Sequence, residues 1–211
     1  MNMKRFVQAS FGAAMAIAAF SPAQAVPVQW TVGSGGNGHY YELVQSSSGL
    51  EWTAARSAAL ASTHLGQSGY LATVTSAAEQ TFLNALNPND LDAWLGGSDQ
   101  GTEGVWLWMD GPEAGTQFWQ GGPGGSATAP FNYANWVAGV EPNDFSTGED
   151  GLVGWWNGDQ WNDLPHTGYF LVSYYVVEYS APTSVAEPAA LGLFGLGLVG
   201  LGLAKRRRRT R

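Results

Sequence analysis

Val140-Glu141-Pro142-Asn143-Asp144-Phe145-Ser146-Thr147-Gly148-Glu149-Asp150, read together with Trp161-Asn162-Asp163, decides how this chain is to be understood. From Glu141 to Asp163 it carries Glu141, Asn143, Asp144, Glu149, Asp150, Asp159, Asn162 and Asp163, and not one Lys or Arg. So many side-chain oxygens without a base ask for a hard cation. Calcium accepts six to eight oxygen ligands in irregular geometry, which a loop of carboxylates and amides supplies. Magnesium wants fewer protein ligands and a stricter octahedron, and no His or Cys pair suits zinc.

The order Glu-Pro-Asn, then Gly-Glu-Asp, then Trp-Asn-Asp resembles the calcium and sugar site of C-type lectin domains. The resemblance implies that Glu141, Asn143, Glu149, Asn162 and Asp163 ligate a sugar-binding calcium. It also implies an auxiliary calcium held by Asp99, Glu103, Asp144, Glu149 and Asp150, with Glu149 shared. In that family the bond before the proline is cis and aims both flanking side chains at one ion; such bonds are otherwise rare and cost little before Pro. Carboxylates accept and amides donate hydrogen bonds. A vicinal diol on the ion would therefore donate to Glu141 and Glu149 and accept from Asn143 and Asn162. Glu-Pro-Asn, rather than Gln-Pro-Asp, implies hexoses with equatorial 3- and 4-hydroxyls, of the mannose and glucose type.

Charge is unevenly spread. The net value is −8, yet eight of the nine bases lie at the ends, Lys4 and Arg5 and then Lys205 through Arg211. Between Val26 and Ser180 one base, Arg56, stands against sixteen acids. Such a body repels phosphate backbones, so nucleic acid is excluded as a partner. There is no cysteine. Animal C-type lectin domains typically carry two disulfides, and Gly151 and His166 fall where cysteines would flank the binding region. Stability must then come from the aromatic core, with ten Trp in the chain, and from bound calcium.

The ends read as targeting segments. Residues 1–25 have a secretory pattern: Lys4-Arg5, an apolar middle from Phe11 to Phe20, and the small-residue site Ala23-Gln24-Ala25, so that the mature chain begins at Val26. Residues 181–211 hold a linker, an apolar run from Ala189 to Ala204, and an Arg-rich tail. Sixteen helical residues span about 24 Å, marginal for a hydrocarbon core of roughly 30 Å, which leaves a short retained anchor with a cytoplasmic basic tail as the alternative. The order Val185-Ala186-Glu187-Pro188, apolar run, Arg cluster resembles the bacterial PEP-CTERM sorting signal, with Ala186 where its first Pro is usual. That resemblance implies processing by an exosortase-type membrane protease and transient membrane association. It implies export through the inner membrane of a Gram-negative bacterium, with release to the cell surface or extracellular matrix.

Residues 26–180 form the expected domain, of α+β class with a C-type lectin-like fold: two helices, small antiparallel sheets and a long calcium-binding loop region. His39 to Val44 has strand character, and the apolar spacing from Trp52 to Leu65 predicts a helix. Ala72-Thr73-Val74 reads as a short buried strand. Ser76-Ala77-Ala78-Glu79 is a capping box opening a helix to about Leu86, stopped by Asn87-Pro88-Asn89-Asp90. Ala93 to Gly97, Trp106 to Gly111 and Val176 to Tyr179 resemble the family's core and terminal strands, and Trp94, Trp106, Trp108 and Tyr179 are expected in the core. Gln120 to Ala129, rich in Gly, Pro and Ser, reads as a flexible insertion.

Other readings carry less. Gly33 to Gly38 fits a dinucleotide pattern by letter without the strand and helix that give it meaning. His39, His64 and His166 lack metal-ligand spacing. Paired acids run glycoside hydrolysis, but here they crowd where calcium would hold them charged, so no enzyme is expected. The rival is a calcium-stabilised adhesion module that binds protein or surfaces rather than sugar.

Overall fold

The computed structural model describes residues 26–145, 148–168 and 171–182. The expected signal at 1–25 and the sorting segment beyond residue 182 lie outside the described residues. Among those described, no helix is long and apolar enough to cross a membrane.

The elements run β1 (Val28–Gln29), β2 (Tyr40–Leu50), α1 (Trp52–Ala61), β3 (Thr63–His64), β4 (Gln67–Leu71), α2 (Ala77–Leu86) and β5 (Ala93–Ser98). There follow β6 (Val105–Trp108), β7 (Gln117–Gln120), β8 (Ser126–Ala127), β9 (Gly151–Asn157), β10 (Gln160–Leu164) and β11 (Val172–Tyr179). This is the expected α+β fold. The last long strand returns to the first: β11 pairs antiparallel with β2, setting Tyr179 opposite Tyr40. On its other side β11 runs parallel to β5 and antiparallel to β4. β5 is the hub, paired with β6 and with β9, and β9 turns back into β10.

All six residues of β5 are buried, because both its faces are covered. Successive side chains on a strand point to opposite faces. Ala93 and Leu95 face an aromatic core containing Trp106, Trp108, Phe118, Trp136 and Trp161. Trp94 faces a second core with Trp52, Ala55 and Ala59 of α1, Leu71 and Val177. The two indoles nearest the seam satisfy their N–H groups on backbone: Trp52 donates to the Leu95 carbonyl at 2.8 Å and Trp94 to that of Leu50 at 2.7 Å. The aromatic core does what cross-links do elsewhere. At Gly151 a Cβ would sit 3.1 Å from the Trp52 side chain, so the ring occupies the space that a larger residue there would need.

Several elements differ from expectation. The first strand is longer than His39–Val44 and reaches Leu50. The first helix stops at Ala61 rather than Leu65, since Leu65 and Gly66, both at positive φ, form the two-residue turn between β3 and β4. The strand after it is Gln67–Leu71. Ala72 continues its line as buried extended chain, donating to Val176 and accepting from Gly96. The Ser76 side chain caps α2 through Glu79 N–H at 3.2 Å, whereas Glu79 reaches back to Thr75 N–H at 2.8 Å, one residue beyond the cap. The insertion read as flexible is instead the β7–β8 hairpin, paired Trp119 to Ala127 and Gln120 to Ser126. Its turn abuts the long loop: a Cβ on Gly122 would stand 3.4 Å from the Pro142 carbonyl oxygen.

Candidate functional site

The acidic loop leaves the core at Trp136, crosses residues 137–150, and re-enters the sheet at β9. Its proline stands after a cis Glu141–Pro142 bond. Asp163, fully buried on β10, fastens the loop to the sheet: its Oδ1 accepts from Asn143 N–H at 3.1 Å and its Oδ2 from Asp144 N–H at 2.8 Å. Asp144, at φ +47°, accepts from the N–H groups of Gly148 and Glu149. Glu149 accepts from Phe145 N–H at 2.9 Å. The loop's carboxylates thus organise its backbone.

Of the five residues expected at the sugar-binding ion, Glu141, Glu149, Asn162 and Asp163 are buried and Asn143 is exposed at the rim. Glu141 stands beside the Asp163 carboxyl, and its buried Oε2 has no hydrogen-bond partner. Asn162 donates its amide to the Asp163 carbonyl at 2.7 Å. Burial, then the neighbouring Asp163 carboxyl, raises the Glu141 pKa; burial and the Asp163 charge push the Glu149 carboxyl up to about 7.

Of the auxiliary set, Asp99, Glu103 and Asp150 converge, with one carboxylate oxygen from each lying within 4.8 Å of the others. Asp99 follows β5 directly and is buried; its Oδ2 accepts from Gly104 N–H at 2.9 Å, and its Oδ1 is buried with no partner. Burial, opposed by that hydrogen bond and reinforced by the Glu103, Asp150 and Asp163 charges, pushes it up to about 7. Asp144 and Glu149 stand outside this trio, although the Asp144 charge contributes, after burial, to raising Glu103.

Spacing alone missed His166. Its Nδ1 lies 2.6 Å from Asp150 Oδ2 and its Nε2 lies 2.7 Å from the Gln100 side chain. Ligand spacing gives no link between His166 and Asp150; the one pointer is that His166 and Gly151 stand where the family's cysteines flank the binding region, and the fold brings the end of β10 beside the start of β9.

Arg56 gives no relief to these acids. It is committed to Asp110, with Nε and Nη2 at 2.6 and 2.8 Å from the two carboxylate oxygens. Unpaired buried carboxylates are costly. Two orphaned buried oxygens, in an acid set with no Lys or Arg among the described residues near it, are what a calcium ion would satisfy. The convergent trio fits the ion: Asp99, Glu103 and Asp150 would hold one, whereas Glu141, Glu149 and Asp163 do not form such a group among the described residues.

The model of the lectin C-type domain matches residues 51–171. The chain belongs to the C-type lectin domain family. Over 139 residues, 65% of its length, this C-type lectin domain protein is 40% identical to halomucin of Haloquadratum walsbyi, of which it spans 1%. It is 32% identical over 122 residues to the low affinity immunoglobulin epsilon Fc receptor of Mus musculus, spanning 30% of that receptor. Among solved structures, the C-type lectin CEL-I from Cucumaria echinata shares the fold at a TM-score of 0.51 and 23% identity, with 69% of this chain and 92% of that one covered. The cow C-type carbohydrate-recognition domain of CD23, crystallised in the presence of a GlcNAc2Man3 oligosaccharide, aligns at a TM-score of 0.50 and 26% identity over 69% of this chain and 90% of that one.

Proposed function

We propose that this C-type lectin domain binds carbohydrate through calcium, at the loop of Glu141, Asn143, Glu149, Asn162 and Asp163. The auxiliary ion at Asp99, Glu103 and Asp150 would fix the loop. The observation that carries the reading is the pair of buried, unpartnered oxygens, Glu141 Oε2 and Asp99 Oδ1, among acids with no Lys or Arg beside them. When bound, calcium supplies coordination sites for sugar hydroxyls. The chain supplies acceptors at Glu141 and Glu149 and donors at Asn143 and Asn162. The Glu-Pro-Asn order favours mannose- and glucose-type hexoses, and the oligosaccharide named with the cow CD23 domain contains mannose. The targeting pattern of the ends supports an exported protein of the cell surface or matrix, released by an exosortase-type protease, with exopolysaccharide as the natural ligand. An open site on one sugar buries little area, so useful binding would rest on repeated glycans.

The test is a glycan array probed with the exported chain in calcium and again in EDTA. Hits on mannose- or glucose-type glycans that vanish in EDTA are expected. A second reading has its own observation: Phe145 and Val140, on the same loop, are 74% and 51% exposed. Silence on the array, with calcium still raising the melting temperature, would make the ion structural and this loop a contact for protein or surfaces.

A further inference from the structure

A groove of about 680 Å³ lies between α1 and the β2–β11 face, and none of its lining residues belongs to the calcium loop. Val26, Pro27, Glu42, His64, Tyr175 and Tyr179 are among them. Glu42 is 7% exposed, and the Tyr179 hydroxyl donates to its Oε2 at 3.2 Å. No Lys or Arg among the described residues is near it, since Arg56 is held by Asp110. Burial raises its pKa, opposed by that hydrogen bond. His64 packs between the rings of Tyr40 and Tyr179, at 4.7 and 5.5 Å, and its buried Nε2 has no partner. A buried carboxylate, an unpartnered imidazole nitrogen and tyrosine rings thus line one hollow. A buried carboxylate in a hollow that tyrosine rings also line suits a small cation with N–H donors, through charge-assisted hydrogen bonds and cation–π attraction.

The geometry points to an ammonium-binding site at Glu42, filled either by the chain's own α-amine at Val26 or by the primary amine of a bound molecule. The first source follows from register. β1 pairs Val28 with Tyr41, the neighbour of Glu42, and Pro27 and Val26 just before β1 line the groove together with Glu42. Cleavage after Ala25 would place a new cation at Val26, a residue that already lines the groove. The second source follows from size: a groove of this volume holds more than one ammonium group. The inference is independent of the sugar-binding reading, because none of its residues touches the calcium loop.

The experiment uses the exported full chain, its amino terminus read by mass spectrometry. The α-amine pKa is obtained from the pH dependence of its acetylation rate. The same protein is titrated with n-butylammonium chloride, with n-butanol as the uncharged control, in the wild type, Glu42→Gln and Thr63→Trp. Thr63→Trp fills the groove from its exposed rim without altering Glu42. An α-amine titrating about one unit or more above its ordinary 7.7–8.0, and returned to it by Glu42→Gln, assigns the site to the chain's own terminus. An ordinary α-amine, with saturable butylammonium binding that butanol does not reproduce and that both variants weaken at least about tenfold, assigns it to a foreign amine. An ordinary α-amine together with no butylammonium binding overturns the proposal. Should Glu42→Gln fail to fold, loss of butylammonium binding or of the raised α-amine pKa in Thr63→Trp decides in its place.

Discussion

Asp99 shows what this site asks of single residues. One carboxylate oxygen is satisfied by Gly104 N–H, the other is buried without a partner, and three further acids surround it. Asn at this position keeps the Gly104 acceptor and deletes the charge. Asp99→Asn is therefore expected to stabilise the calcium-free domain by roughly 1–3 kcal/mol, and to shrink the rise in melting temperature that calcium gives. Scanning calorimetry in EDTA and in calcium reads both signs. A variant less stable in EDTA would mean that the acids are not in conflict there. Glu141 and Asn143 carry the other residue-scale expectation. Exchanging acid and amide, Glu141→Gln with Asn143→Asp, keeps both side chains in place and reverses which hydroxyl is donor and which acceptor. Glycan preference should then move from mannose-type toward galactose-type sugars, and an unchanged panel would count against the diol geometry.

At the scale of elements, α2 depends on its first turn. Ser76 accepts from Glu79 N–H, so Ser76→Ala should lower stability by about 1 kcal/mol, with glycan binding unaltered; urea denaturation and the array separate the two. The capping box was legible because it is local chemistry written in four consecutive residues. The strands of the two cores were legible through the family resemblance, which set Trp94, Trp106 and Trp108 on core strands, and all three are buried. Where α1 ends was not legible. Leu65 keeps the helical spacing, yet it lies in a turn whose value comes from pairing Thr63 with Ser68, a tertiary gain invisible to periodicity. The β7–β8 hairpin escaped for the same reason, since its glycines signal bends without saying what pairs across them. In the site, the order of ligand types was readable from Glu141 to Asp163. The meeting of Asp150 with His166, and the use of Asp163 as a clasp on the loop's backbone, needed the fold.

Over the whole molecule, buried acids outnumber bases far from the calcium loop as well. Glu79 and Glu178 are each 1% exposed, bridged by the Tyr41 hydroxyl, with His39 2.6 Å from Glu178. Burial and the Glu178 charge hold the Glu79 carboxyl above its ordinary 4.5. The folded form therefore binds that proton more tightly than the unfolded chain does. As pH rises from about 4.5 toward 7, the unfolded chain releases the proton first, and stability falls. In EDTA the melting temperature should be higher near pH 5 than near pH 7.5, and Glu79→Gln should flatten part of that slope. A wild-type profile that rises through this window would show the cluster to be charged at no cost.

The pairing of Tyr40 with Tyr179 places the domain's entrance and exit side by side. A unit whose two ends share one doorway can be spliced into a surface loop of a host chain, because closing the host's loop costs little more as that loop lengthens. It can equally be threaded many times along a filament without bending the thread. The geometry makes the domain a cassette: what surrounds it can be exchanged over evolutionary time while its interior stays untouched, and a host many times its length can carry it as a small fraction of the whole.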